Sequence, residues 1–180
     1  FMDPQWTHVV ANEPQCVFRG KPMPHGILVD ELSVDTGWQD IANFVANRSE
    51  ATEATVGERG NTKKSIWRET DIVDLGDHSD RVLTLVRNIL QDVAEPFYNC
   101  KVRTMVAPHI LRYSPGSYYR PHADSDEFNP DTQKWEKTLD RDLSLLLYLD
   151  DQYEGGEISF PNFGFQLGPR AGMLLMFPSD

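Results

Sequence analysis

The sequence predicts an α+β domain, mainly β, built on a β-sandwich or barrel. Helix-period patterning is confined to two stretches in the first half of the chain. The second half breaks into short apolar runs separated by turn residues. The length, 180 residues, is that of one domain with room for a real core. Two helices followed by a run of strands give this fold class.

The chain is rich in proline and irregular in pattern up to about Gly26. ILVDELSVDTGWQDIANFVANR then reads as a short strand and a helix. Ser33 is the predicted N-cap, and Trp38, Ile41, Ala42 and Val45 fall on one helical face. ATVG and SIWRETDIV have strand character, with GERGNTKK between them as an exposed hairpin loop. SDRVLTLVRNILQDVAEPF is the second helix. Val82, Val86, Ile89 and Val93 form its apolar stripe, Arg81, Arg87 and Asp92 face water, and Pro96 is its predicted end. The predicted strands that follow are VRTMVAPHILRY, DLSLLLYLD, EISFP, FQLGP and MLLMFP. Gly155 and Gly156 suit a turn with positive φ.

Composition narrows the functional classes. Hydrophobic residues make up 39% and charged residues 25%, as in soluble globular proteins. No apolar run reaches the length of a membrane span, and no basic-then-apolar leader is visible. The net charge of -11 disfavours a nucleic-acid partner, since phosphate contacts need a basic surface. It fits a neutral or cationic substrate, although solubility alone would account for it. Cys16 and Cys100 do not make a disulfide framework, so a reducing, cytoplasmic location is expected.

The chemistry concentrates in RYSPGSYYRPHAD, residues Arg112 to Asp124. On a strand, His122 and Asp124 would share a face and could reach one metal ion. Two histidines and one carboxylate with open positions suit non-haem Fe(II) oxygenases. A bare His-x-Asp is more often a surface or hydrogen-bonding pair, so its surroundings decide. Tyr113, Gly116, Tyr119, His122 and Asp124 are ordered as Y-x-x-G-x-x-Y-x-x-H-x-D. RDLSLLLYLDD follows from Arg141, then GGE at Gly155 to Glu157, F-P at Phe160 and Pro161, and GMLLMFPS to Ser179.

This ordered set resembles the prolyl 4-hydroxylase-like family of Fe(II)- and 2-oxoglutarate-dependent dioxygenases, from about Ile27 to the end of the chain. The resemblance implies a double-stranded β-helix (jelly roll, cupin-like) with supporting N-terminal helices. It implies Fe(II), 2-oxoglutarate and O2 as cofactors, with ascorbate as an optional auxiliary reductant. His122 and Asp124 would be metal ligands. Tyr148 would place its hydroxyl on the distal carboxylate of 2-oxoglutarate, and Tyr113 would line the same pocket. Tyr148 could also be a plain core aromatic, though a buried phenol normally needs a partner. Tyr119 reads equally as site lining or as core. Arg141 suits a structural or rim position, and Trp135 either contacts substrate or anchors its loop.

The family's second histidine ligand has no counterpart here, because no histidine follows Asp124. It is expected beyond Asp180, as is the family's basic residue for the 2-oxoglutarate carboxylate. On this reading residues 1–180 are a single dioxygenase domain lacking its C-terminal strands. His109 lies on the wrong side of the motif and reads as a strand-packing residue, while His78 reads as exposed or capping.

The implied activity is hydroxylation of an amino-acid side chain, foremost prolyl in a protein or peptide, with a small amino-acid-like molecule as the other substrate class. Asp124 argues against halogenation, because related halogenases carry a small residue there. GERGNTKK and SDEFNPDTQKWEK would act as substrate lids. The alternative is a non-catalytic jelly-roll binding module with an incomplete metal site.

Overall fold

The computed structural model describes residues 21–49, 51–53, 68–129 and 131–179. GERGNTKK, ATVG and most of the proline-rich N-terminal part lie outside the described residues.

The framework is a four-stranded antiparallel sheet. Its members are β1 (Lys21–Pro22), β2 (Leu28–Glu31), β10 (Leu143–Leu147) and β13 (Met173–Pro178), in the order β1-β2-β13-β10. Leu175 of β13 pairs with Val29 on one side and with Leu146 on the other. Alternate side chains leave opposite faces of a strand, and both faces of β13 are covered. Leu174 and Met176 join one core with the helices, while Met173 and Leu175 join a second core with Ile27, Leu146 and Phe160. A doubly buried strand must be apolar throughout, which is why MLLMFP is so readable in the sequence.

The helical side is formed by α1 (Trp38–Ala46) and α2 (Ser79–Ile89). Ser33 does cap, but it caps a short 3-10 turn over Val34–Thr36 that precedes α1. Trp38 and Ile41 are buried and Ala42 and Val45 pack beside them, as the spacing predicts. At the far end of α1, the Arg112 guanidinium donates to the carbonyls of Val45 and Arg48 at 3.0 and 2.6 Å. A cation there also suits the negative end of the helix dipole.

The second helix does not stop at Pro96. It passes through a π turn, Leu90–Ala94, into α3 (Glu95–Tyr98), with Pro96 in its first turn. The wide turn before α3 lets the ring enter at a place that needs no N–H. Asn99, with φ 46°, ends the helix in the left-handed region.

The remaining strands form smaller sheets. β3 (Ala51–Glu53), β5 (Asp71–Val73) and β6 (Leu111–Arg112) make one of three strands. β4 (Arg68–Glu69) pairs with β7 (Tyr118–Tyr119), and β11 (Ile158–Phe160) with β12 (Phe165–Leu167). Gly155 and Gly156 have φ of 83° and 72°, the conformation that the turn before β11 demands.

Three expectations are corrected. VRTMVAPHILRY contributes only Leu111 and Arg112 to a strand, and His109 is exposed in the irregular segment before it. Pro108 has no N–H for a ladder there. His78 stands at the N-cap position of α2, but its side chain makes no capping hydrogen bond; its ring is half-buried and stacks on Phe44 with centroids 3.7 Å apart. SDEFNPDTQKWEK is a hairpin, β8 (Asp126–Asn129) and β9 (Lys134–Lys137). Asn129 Oδ1 accepts from the amide of Asp131 at 2.9 Å and folds the turn. The Phe128 and Trp135 rings meet edge to face across the pair. The described residues are mostly strands with a few helices, and a closed double-stranded β-helix is not formed by these pairings.

Candidate metal and cosubstrate site

His122 and Asp124 are not on a strand. They lie in the irregular segment between β7 and β8, so the i, i+2 strand argument is not what joins them. They meet all the same: His122 Nε2 is 2.9 Å from Asp124 Oδ1. The His122 side chain is 17% exposed and that of Asp124 24%, so both are largely enclosed yet reachable by a small ion.

Each is fixed by further contacts. His122 Nδ1 lies 2.7 Å from the carbonyl of Arg120. A carbonyl only accepts, so Nδ1 carries a proton, and in the neutral imidazole Nε2 is left with a lone pair. That lone pair faces a carboxylate oxygen, and two such atoms at 2.9 Å repel unless a cation lies with them. A proton can serve, and so can a metal ion that takes nitrogen and oxygen donors. The donor chemistry of the pair, with its outer hydrogen bond, therefore fits a divalent transition metal.

Asp124 is held on every side. Ser144 Oγ donates to its Oδ2. Arg141 Nη1 donates to its main-chain carbonyl at 3.0 Å. The next amide, that of Ser125, donates to Ser179 O at 3.2 Å, and Ser179 N donates to Asp142 O at 3.0 Å. The loop is thus fastened beside the start of β10 and the end of β13. Burial pushes the Asp124 carboxyl up, but hydrogen bonds from His122 and Ser144 and the nearby Arg141 charge outweigh it. The carboxyl is held below its ordinary value.

The phenols gather beside the pair. The Tyr119 ring stacks on His122, centroids 3.7 Å apart, and Arg68 lies 5.2 Å over the same ring. β4 and β7 set this contact, since Arg68 and Tyr119 are register partners. Tyr113 follows β6 directly, and its phenol is close enough to feel the charges of Arg68 and Asp124. Burial raises the Tyr113 and Tyr119 phenols while Arg68 draws both back.

Tyr148 follows β10, and its amide donates to Met173 O at 3.0 Å. It packs on the core of Met173 and Leu175, opposite the helices. Ser144, Leu146 and Tyr148 therefore alternate onto one face of the strand, which carries Asp124 at one end and the phenol at the other. Burial pushes the Tyr148 phenol up to about 12, with Tyr153 and Tyr113 adding to the effect. It remains a neutral donor at any physiological pH.

Trp135 stands on β9 against Phe128 and packs within the hairpin. Among the described residues no group of three or more His, Cys, Asp or Glu side chains converges to hold a metal, so His122 and Asp124 stand as a pair. Arg68 and Ser144 stand at the site without being among the residues its motif points to. Ser144 had a signal: it is the one polar residue in the LSLLL strand.

One family model and three known proteins are similar to this chain. Residues 108–180 match the family described as the 2OG-Fe(II) oxygenase superfamily. The chain is 25% identical over 160 residues to a putative prolyl 4-hydroxylase of Acanthamoeba polyphaga mimivirus, covering 87% of this chain and 61% of that protein. It is 31% identical over 126 residues to probable prolyl 4-hydroxylase 9 of Arabidopsis thaliana, covering 70% of this chain and 38% of the plant protein. It is 40% identical over 55 residues to prolyl 4-hydroxylase 1 of the same plant, covering 31% of this chain and 18% of that protein. The chain therefore spans less than two thirds of the length of these relatives. No solved structure gives a significant match. Motif, family match and relatives point the same way: residues 108–180 match the 2OG-Fe(II) oxygenase superfamily, and the chain is similar to proteins named prolyl 4-hydroxylases.

Proposed function

We propose that the protein is an Fe(II)- and 2-oxoglutarate-dependent dioxygenase that hydroxylates an amino-acid side chain, foremost prolyl in a protein or peptide. The observation that carries this reading is the facing of His122 Nε2 and Asp124 Oδ1, with Nδ1 tied to a main-chain carbonyl. The names of the relatives favour a prolyl substrate. Cytoplasmic location belongs to the same proposal and rests on cysteine usage alone.

The bound iron would supply the oxidation, with 2-oxoglutarate and O2 as co-reactants and ascorbate as an optional reductant. The chain's own residues do the positioning. His122 and Asp124 would offer one nitrogen and one charged oxygen to the metal. Arg141 and Ser144 keep the Asp124 carboxylate in place. Tyr148, neutral and half-buried, would donate to the far carboxylate of 2-oxoglutarate, and Tyr113, whose phenol it feels, would line the same space. Tyr119 keeps the imidazole plane fixed by stacking.

The test is succinate formation by the native protein supplied with Fe(II), 2-oxoglutarate and proline-containing peptides. Asp124→Ala should abolish both succinate formation and hydroxylation. Retained activity in that variant would remove Asp124 from the site. A second reading, a non-catalytic binding module, draws on the described residues holding a pair of donors rather than three. Peptide binding with no succinate formed in the presence of Fe(II) would favour it.

A further inference from the structure

Asp124 has two carboxylate oxygens in different surroundings. Oδ1 faces His122 Nε2, and Oδ2 accepts the Ser144 hydroxyl. That hydroxyl has a single proton, and Asp124 receives it, since a carboxylate only accepts. The second contact of Ser144, to Ser179 Oγ at 2.9 Å, must then run the other way, with Ser179 donating. The three groups form a directed chain from Ser179 through Ser144 to Asp124, in which each bond polarises the next.

The chain is built into the fold. Ser144 is 6% exposed and Ser179 2%. Ser144 sits within β10, opposite Phe177 of β13. Ser179 is fixed by its own amide and carbonyl, to Asp142 and Ser125. A buried hydroxyl pair in an otherwise apolar strand pair carries a desolvation cost, so its placement calls for an acceptor worth holding.

We propose that Ser144 is a positioning residue for Asp124. With Ser179 behind it, its hydroxyl occupies Oδ2 and turns Oδ1 alone toward the space shared with His122 Nε2, so the carboxylate binds a metal through one oxygen. This rests on the metal-binding reading above. The partner chemistry is a divalent cation of borderline softness, since one imidazole and one carboxylate oxygen face it.

The test uses the metal alone. The metal-free native protein is titrated with Co(II), and affinity and the visible Co(II) absorption are recorded. Wild type should bind. Ser144→Ala should bind about 10- to 100-fold more weakly, the usual effect of losing an outer-sphere partner, and its Co(II) spectrum should change as the second oxygen is freed. Ser144→Thr, which keeps the hydroxyl, should restore both. Ser179→Ala should weaken binding less, and adding it to Ser144→Ala should cost nothing more.

Circular dichroism and thermal melting check the fold of each variant. If Ser144→Ala does not fold, Ser179→Ala decides: affinity and spectrum equal to wild type would overturn the proposal. A folded Ser144→Ala with wild-type affinity and spectrum would overturn it too, leaving the metal site standing. A wild-type protein that takes up no Co(II) would overturn both.

Discussion

Tyr119 and His122 lie face to face, their rings 19° from parallel. The stack sets the plane of the imidazole, and the Nδ1 bond to Arg120 sets its rotation within that plane. An aromatic pair of this kind contributes about 0.5–1.5 kcal/mol. Tyr119→Ala should therefore weaken Co(II) binding by about 2- to 10-fold, while Tyr119→Phe, which keeps the ring, should bind as wild type. Titration of the metal-free variants decides, and equal affinity for the alanine variant would show that the stack does not hold the imidazole.

Tyr148 should matter to the cosubstrate rather than to the chemical step. A hydrogen bond to a charged group contributes about 1.5–3 kcal/mol. Tyr148→Phe should raise the KM for 2-oxoglutarate by about tenfold or more and leave kcat little changed. Steady-state kinetics separate the two constants, and a fall in kcat at unchanged KM would reassign the phenol.

The same phenol predicts an alkaline instability. Its folded pKa, about 12, lies above the ordinary value of 10.0. The unfolded chain therefore loses this proton first as pH rises. The contribution is fully present below the unfolded value and drains away toward the folded one. Tyr148→Phe should lose less stability than wild type over that window, as read from denaturant midpoints at stepped pH.

Gly172 should not tolerate a side chain. Its φ is 83°, and a Cβ there would come 2.8 Å from Trp38 Cζ2. Left-handed backbone strain costs about 1–2 kcal/mol and overpacking about 1–3 kcal/mol. Gly172→Ala should lower stability by about 2–5 kcal/mol, visible in denaturant unfolding followed by tryptophan fluorescence. An unchanged midpoint would mean that Trp38 can move aside.

Tyr98→Phe tests how α3 is fastened to the sheet. The Tyr98 hydroxyl donates to Gly26 O at 2.8 Å, and burial raises its pKa well above the usual phenol range. Removing the hydroxyl leaves that carbonyl without its partner and should cost about 1–3 kcal/mol, seen as a lower Tm with unaltered metal affinity.

What the sequence made legible was governed by period. β13 is a short apolar run buried on both faces, β10 is an apolar run that packs on both cores, and Trp38 to Val45 repeats as a helix does, so these elements stand where patterning puts them. The β8–β9 hairpin was hidden because its strands are polar, with Phe128 and Trp135 their only apolar pair. The π turn ahead of Pro96 has no composition signature, so proline read as a stop. At the site, His122 and Asp124 were visible as residue types in order, but not their mode of meeting. Alternation on a strand would have sufficed, yet a loop held by Arg141, Ser144 and Ser179 does it instead. Ser144 lay in plain view in an apolar strand, where one hydroxyl carries no period of its own.

The fastening of the Asp124 loop to β10 and β13 bears on how the site can open. Local fluctuations release first the segments with few buried contacts. Here the amide of Ser125 is bonded to Ser179, next to the last residue of β13, whose neighbours fill both cores. Loosening the carboxylate would mean fraying the most protected strand of the molecule. Ser125 should therefore exchange its amide hydrogen for deuterium nearly as slowly as Leu174 and Leu175. The Asp124 loop and the sheet would then open together, as one cooperative unit rather than as a surface loop on a rigid support.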